Sequence, residues 1–212
     1  MAETPQSPAK PEAATPAPVL KERLVRTQHK LKVGRRTLNY TATCGTLVLR
    51  EDEATKDGQR SADKPRAELF FIAYTLDEER KADDRPRPIT FSFNGGPGSS
   101  SVWLHLGILG PQRVATDEMG NAPPPPYALV DNEHTLLTDS DLVFIDPIGT
   151  GHSRMAEGEK TAEYHDYQRD LDSVGDFIRL YLTRYGRWDS PKYLIGESYG
   201  TTRAAGLSLH LQ

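Results

Sequence analysis

Near its carboxyl end the chain runs through an apolar stretch, Tyr193-Leu194-Ile195, into Gly196-Glu197-Ser198-Tyr199-Gly200 and then into a helix-compatible segment that reaches Gln212. A Gly-x-Ser-x-Gly pentapeptide between a strand and a helix describes a sharp, strained turn that lifts a serine hydroxyl above the end of a sheet. The backbone folds back on itself there. Side chains at positions 196 and 200 would clash, which is why both are glycine. The feature therefore demands a strand behind Ser198 and a helix in front of it.

The rest of the chain is consistent with that demand. Leu38–Thr43, Thr46–Leu49 and the apolar run Glu68–Tyr74 read as strands, with the charged stretch Arg50–Arg66 as the surface loop of a hairpin. Asp77–Pro88 is a second charged connection. Pro88–Phe93 is a short strand that enters Asn94-Gly95-Gly96-Pro97-Gly98. Ser99 or Ser100 then caps a helix using Val102, Trp103, Leu106 and Leu109, which stops at Gly110-Pro111. Residues 115–135, with four consecutive prolines, read as loop. Asp141–Asp146 is a buried strand followed by the turn Pro147–Gly151, and Leu171, Val174, Ile178, Tyr181 and Leu182 mark a helix over about Ala162–Tyr185. Strand, helix, strand is a βαβ unit, so the sheet from Ile89 onward is expected to be parallel and helix-covered. The fold class is α/β: antiparallel strands first, then parallel strands with crossover helices, as in the amino-terminal half of an α/β-hydrolase that stops after the nucleophile elbow. Residues 1–19 are expected to be a disordered Pro/Ala-rich tail, and 20–212 an incomplete hydrolase domain.

Serine is a poor nucleophile at neutral pH, so hydrolysis requires an activating base and donors for the oxyanion. In this fold one donor is the backbone N–H of the residue after the nucleophile, here Tyr199, and the other comes from the loop after an earlier strand, the place of Asn94–Gly98. Each such donor is worth about 2.7–4 kcal/mol at the transition state. Alone, a Gly-Gly-Pro-Gly run is a plain turn and a bare Gly-x-Ser-x-Gly arises by chance. Both at strand-to-helix junctions, in this order, form a coherent site.

Four ordered motifs carry a family resemblance: Phe93–Ser100, Leu109-Gly110-Pro111, Phe144–Ser153 and Gly196–Gly200. From about Leu20 to the last residue the chain resembles the serine carboxypeptidases of peptidase family S10. The resemblance implies a hydrolase that releases single residues from peptide carboxyl termini through an acyl-enzyme on Ser198. It maps the oxyanion donors onto Gly96 and Tyr199, and the contacts to the substrate's terminal carboxylate onto Asn94, Gly95 and Glu197. A glutamate hydrogen-bonds another carboxylate only when the two share a proton, so an acidic working pH follows. Two positions depart from the family: Ser92 stands where a Trp is frequent and Ser99 where a Cys is frequent, which points to a disulfide-poor branch.

The triad order Ser, Asp/Glu, His places acid and base after the nucleophile. His29, His105, His134, His152 and His165 all precede Ser198, and His210 lies on a helix that leaves the elbow, where a packing role is expected. Asp139, Asp141 and Asp146 also precede the serine and read as turn or cap residues. The triad Asp and His are therefore expected from downstream sequence, and this stretch alone is expected to be inactive. Two other readings stay open: a non-catalytic binding or regulatory fragment, and a serine esterase or acyltransferase.

Other classes have little support. A net charge of −4 without an arginine-rich, aromatic-interleaved stripe argues against nucleic acid. No apolar stretch approaches a membrane span, and the single cysteine, Cys44, with no Cys/His ligand set, argues against zinc and reads as a structural thiol in a strand. No cofactor is expected, and the expected partner is a peptide with a free carboxyl terminus. Met1–Val19 contains no secretory signal; export would require a start further upstream.

Overall fold

β-Branched and aromatic residues crowd the first third of the chain, and in the computed structural model they build three long antiparallel strands. These are β1 (Arg23–Val33), β2 (Arg36–Ala54) and β3 (Arg60–Leu76). The structure describes residues 20, 22–54, 60–78, 84–157, 164 and 166–212, so the tail expected over 1–19 lies outside the described residues. β1 turns into β2 through the two-residue loop Gly34-Arg35, where Gly34 takes φ +58°. A two-residue hairpin loop needs positive φ, and glycine supplies it without strain.

The stretch Arg50–Arg66 differs from the expected loop. The β2–β3 ladder continues through it to the pair Ala54↔Arg60, with register shifts between Leu49 and Arg50 and between Glu51 and Glu53. Charge did not end the strands, because the ladder satisfies the backbone whatever the side chains carry; Arg66 and Glu51 form an ion pair across it.

The remaining elements follow in order: β4 (Ile89–Phe93), α1 (Val102–Leu104), a π-helical stretch His105–Leu109, β5 (Gln112–Val114), β6 (Leu129–Asp131), a 3-10 turn Leu136–Thr138, β7 (Asp141–Ile145), β8 (Arg154–Met155), α2 (Tyr167–Arg184), β9 (Lys192–Gly196) and α3 (Tyr199–His210). The main sheet has the order β1-β2-β3-β7-β4-β9, and β8 pairs with β3. β3 meets β7 antiparallel, whereas β4 pairs parallel with both β7 and β9. The switch from antiparallel to parallel therefore falls between β3 and β7, as expected. Of the stretch 115–135 only Leu129–Asp131 is a strand, β6, which pairs with the preceding β5 in a separate two-stranded ribbon.

Side-chain alternation divides the core in two. Ile89, Phe91, Phe93, Val143 and Ile145 face α2 and α3 and pack on Leu171, Val174, Phe177, Ile178, Tyr181 and Leu207. Leu142 and Phe144 point the other way, onto Leu31, Leu38, Tyr40, Leu104 and Leu137. At the amino ends of the parallel strands, buried Asp141 accepts from Leu76 N (3.0 Å), Arg87 Nε (2.9 Å) and Arg187 Nη1 (2.7 Å). At their carboxyl ends Asp146 accepts from Ser101 N (2.9 Å) and His152 N (3.2 Å). Asp146 is thus a turn anchor, as expected, whereas Asp141 opens β7 and is the centre of a buried ion pair with two arginines. Cys44 sits half-buried in β2, and burial pushes its thiol pKa up.

The helix after the Asn94 loop is not the expected one. It is α for three residues only, no side chain caps it, and Val102 and Trp103 are exposed while Leu104 and His105 are buried. Two carboxyl-edge groups set this phase. Asp146 holds Ser101 N, and Asn94 Oδ1 accepts from Leu104 N at 3.1 Å. Asn132 Nδ2 then donates to the carbonyls of Ile108 and Gly110, both at 2.8 Å, and Thr135 Oγ1 to that of Leu109. The widened turn buries the His105 ring against Phe144, with Nε2 2.6 Å from the Tyr74 hydroxyl.

Burial pushes His105 down to about 4. An unfolded histidine takes up its proton near 6.5, so below that pH the unfolded chain binds a proton that the folded chain refuses. Stability is therefore expected to fall by on the order of 3 kcal/mol as pH drops from about 6.5 to about 4. Urea unfolding of the wild type between pH 7 and 4.5 should show this slope, and His105→Gln should flatten it; parallel slopes would exclude the assignment.

Candidate active site

The parallel register sets Phe93 beside Gly196, so the chain leaves β4 and β9 side by side at one edge of the sheet. Ligand sites in open α/β sheets form at this carboxyl edge. Asn94, fully buried, is held at three points. Its Nδ2 donates to Glu197 Oε2 at 3.0 Å, its Oδ1 accepts from Leu104 N at 3.1 Å, and its carbonyl accepts from Arg203 Nη1 at 2.8 Å. Glu197 itself is exposed, as is Ser198.

Ser198 has φ 55° and ψ −124°, and among the described residues it is the one non-glycine residue at positive φ. A backbone held there is strained by about 1–3 kcal/mol. Its neighbours show what holds it. A Cβ at Gly196 would overlap the Gly200 carbonyl, and one at Gly200 would press on the Phe93 carbonyl. One at Gly95 would overlap the backbone nitrogen of Tyr199. The Asn94 loop thus lies in backbone contact with the first turn of α3. Tyr199 opens that helix, so its N–H has no intrahelical acceptor and is available to a ligand. Gly96, at φ 110°, is exposed on the same loop.

Of the histidines, His105 is buried against Phe144, His29 stacks on Tyr40 in the outer hairpin, and His134 lies exposed between β6 and the 3-10 turn. His152 lies in the turn after β7 with its ring on Phe70. His165 is outside the described residues. His210 lies at the far end of α3, about 18 Å along the helix axis from the elbow, where Arg179 Nη2 donates to its carbonyl at 2.8 Å and its ring packs on Gly175. Among the described residues, no group of three His, Cys, Asp or Glu side chains converges as a metal site would require.

Sequence reading missed one pair at this edge. Arg203 on α3 is completely buried and forms a two-pronged ion pair with Asp170 of α2, at 2.7 and 3.1 Å. Its guanidinium also lies 5.2 Å from the Phe93 ring centre and 5.4 Å from that of Tyr199. The signal was present: Asp170 occupies the same helical stripe as Val174, Phe177 and Tyr181, a position where an aspartate needs a partner.

A strained serine elbow beside a glycine-rich loop and an Asn–Glu pair matches what comparisons with known proteins find. The family model of serine carboxypeptidases, peptidase S10, matches residues 57–209. The chain belongs to the serine carboxypeptidase family. It is 33% identical over 162 residues to the pheromone-processing carboxypeptidase KEX1 of Saccharomyces cerevisiae, covering 73% of this chain and 20% of that protein. It is 29% identical over 151 residues to serine carboxypeptidase-like 51 of Arabidopsis thaliana, covering 69% and 30%. The crystal structure of Kex1(delta)p, a prohormone-processing carboxypeptidase from S. cerevisiae, superposes with a TM-score of 0.55 at 29% identity, over 80% of this chain and 33% of that one. The fold is that of the α/β-hydrolases, and this chain spans about one fifth of the length of the yeast relative.

The strain at position 198 can be measured without turnover. Glycine adopts this conformation freely, so Ser198→Gly should be more stable than Ser198→Ala by about 1 kcal/mol in urea unfolding. An alanine variant as stable as the glycine one would mean the backbone is relaxed there. Gly95→Ala should lose several kcal/mol, because its methyl displaces the Tyr199 nitrogen.

Proposed function

We propose that this chain carries the nucleophile, the oxyanion donors and the terminal-carboxylate clamp of a serine carboxypeptidase acting on peptides with a free carboxyl terminus. The observation that carries the reading is the Asn94–Glu197 hydrogen bond beside the strained Ser198. A buried amide aligned on an exposed glutamate makes a polar pair suited to a carboxylate that shares a proton, and an ester substrate would leave it unused.

In this reading Ser198 Oγ attacks the carbonyl of the last peptide bond and its proton passes to a general base. The N–H groups of Gly96 and Tyr199 receive the negative oxygen. The C–N bond breaks as the leaving amine takes up the proton, and water then hydrolyses the ester on Ser198. Asn94, Gly95 and Glu197 hold the departing residue's carboxylate. The triad Asp and His are proposed to come from polypeptide outside these 212 residues, and the chain alone to be inactive. His105 and His210 support this, since the first is locked against Tyr74 and the second sits at the far end of α3.

Binding tests the clamp directly. An N-acyl dipeptide should bind better than its carboxamide, by about tenfold at pH 5 and by less at pH 7.5, since the shared proton is lost as pH rises. Glu197→Gln donates a hydrogen bond at every pH, so it should retain the preference and lose its pH dependence. Equal binding of acid and amide by calorimetry would remove the carboxypeptidase reading. A fluorophosphonate probe should label Ser198 weakly or not at all, whereas saturable labelling would show that a base is already in place.

A further inference from the structure

The parallel ladder between β4 and β9 ends at Phe93 and Gly196, because the elbow turns the second strand away. That leaves the Asn94 carbonyl buried without a strand partner, and a buried backbone acceptor needs one. Arg203 Nη1 supplies it at 2.8 Å. The same guanidinium faces the ring of Tyr199, and its other nitrogens are held by both oxygens of Asp170. One fully buried side chain thus touches both the start of the loop that carries Gly96 and the ring of Tyr199.

We infer that Arg203, held in place by Asp170, is a positioning residue that sets the orientation of the Asn94–Gly95 peptide, and through it the Gly96 N–H, relative to the Tyr199 N–H. This rests on the carboxypeptidase reading of the site. The peptide unit is planar, so fixing its carbonyl also fixes the direction of the Gly95 N–H and the start of the next peptide. Gly95 and Gly96 have no side chains to anchor the loop, and the Asn94 side chain is committed to Leu104 and Glu197. Within the loop Ser99 N donates to the Gly95 carbonyl at 2.9 Å, and the Asn94 carbonyl is where the loop as a whole is tied to the helix beneath it. The fork matters more than the charge: three donors in one plane serve three acceptors, a geometry that lysine cannot reproduce.

The test compares Arg203→Lys, Arg203→Met and Asp170→Asn with the wild type by 1H–15N spectra, amide exchange and titration with an N-acyl dipeptide and its carboxamide. In Arg203→Lys and Asp170→Asn the Gly95, Gly96 and Tyr199 amide signals should shift, while β1–β3 amides keep their wild-type shifts. At pH 5 the preference for acid over amide should fall about threefold, and what remains should still decline toward pH 7.5. A purely structural role would accelerate exchange across the whole core instead. Folded Lys and Asn variants with wild-type shifts at the three amides would overturn the inference. If Arg203→Met does not fold, the other two variants decide. A wild type without acid preference would sink the carboxypeptidase reading, while the amide signals would still report on positioning.

Discussion

A buried guanidinium holds this architecture together at its most demanding point. Arg203 joins α3 to α2 through Asp170, and α3 to the end of β4 through the Asn94 carbonyl. Removing one partner of such a pair strands the other charge in the core, an effect of about 3–5 kcal/mol. A pair of large apolar residues could fill the same volume. They could not hydrogen-bond the carbonyl where the ladder stops, and that carbonyl is unavoidable once the strand after it bends into an elbow.

The elbow and the glycine loop define each other. Ser198 stays at positive φ because Gly196, Gly200 and Gly95 let three pieces of backbone approach where no Cβ fits. The strain is local, but the groups that hold it come from β4, β9, α2 and α3. Asn94 links the same edge to the end of α1 through Leu104, where the π-helical stretch begins, and Asp146 ties the start of α1 to the end of β7. Loop, elbow and widened helix therefore form one hydrogen-bonded layer on the carboxyl edge of the sheet, while Asp141 and its two arginines anchor the opposite edge.

Much of this was legible in the sequence. β-Rich segments and continuous apolar runs marked the strands, and the stripe Leu171-Val174-Ile178-Tyr181 marked α2, since both signals are local. The charged ribbon beyond Leu49 was misread because ladder pairing, which is not local, carried the strands on. The helix after Ser101 was misread because its phase is set by Asp146 and Asn94, whose side chains arrive from other strands. Asp170 and Arg203 passed unremarked because each is an ordinary charged residue until α2 and α3 are packed together.

What the sequence by itself determined is the chemistry on offer: a serine between glycines, a glycine-rich loop, an asparagine and a glutamate, in an order that permits one sheet to present them. These follow from steric rules acting within a few residues. Only the tertiary structure decided that Asn94 meets Glu197 across about a hundred residues of chain, that Gly95 abuts Tyr199, and that Arg203 is buried beneath both. The physical reason is that burial and hydrogen-bond partnership depend on the register between strands and the packing of helices upon them, which no local pattern encodes.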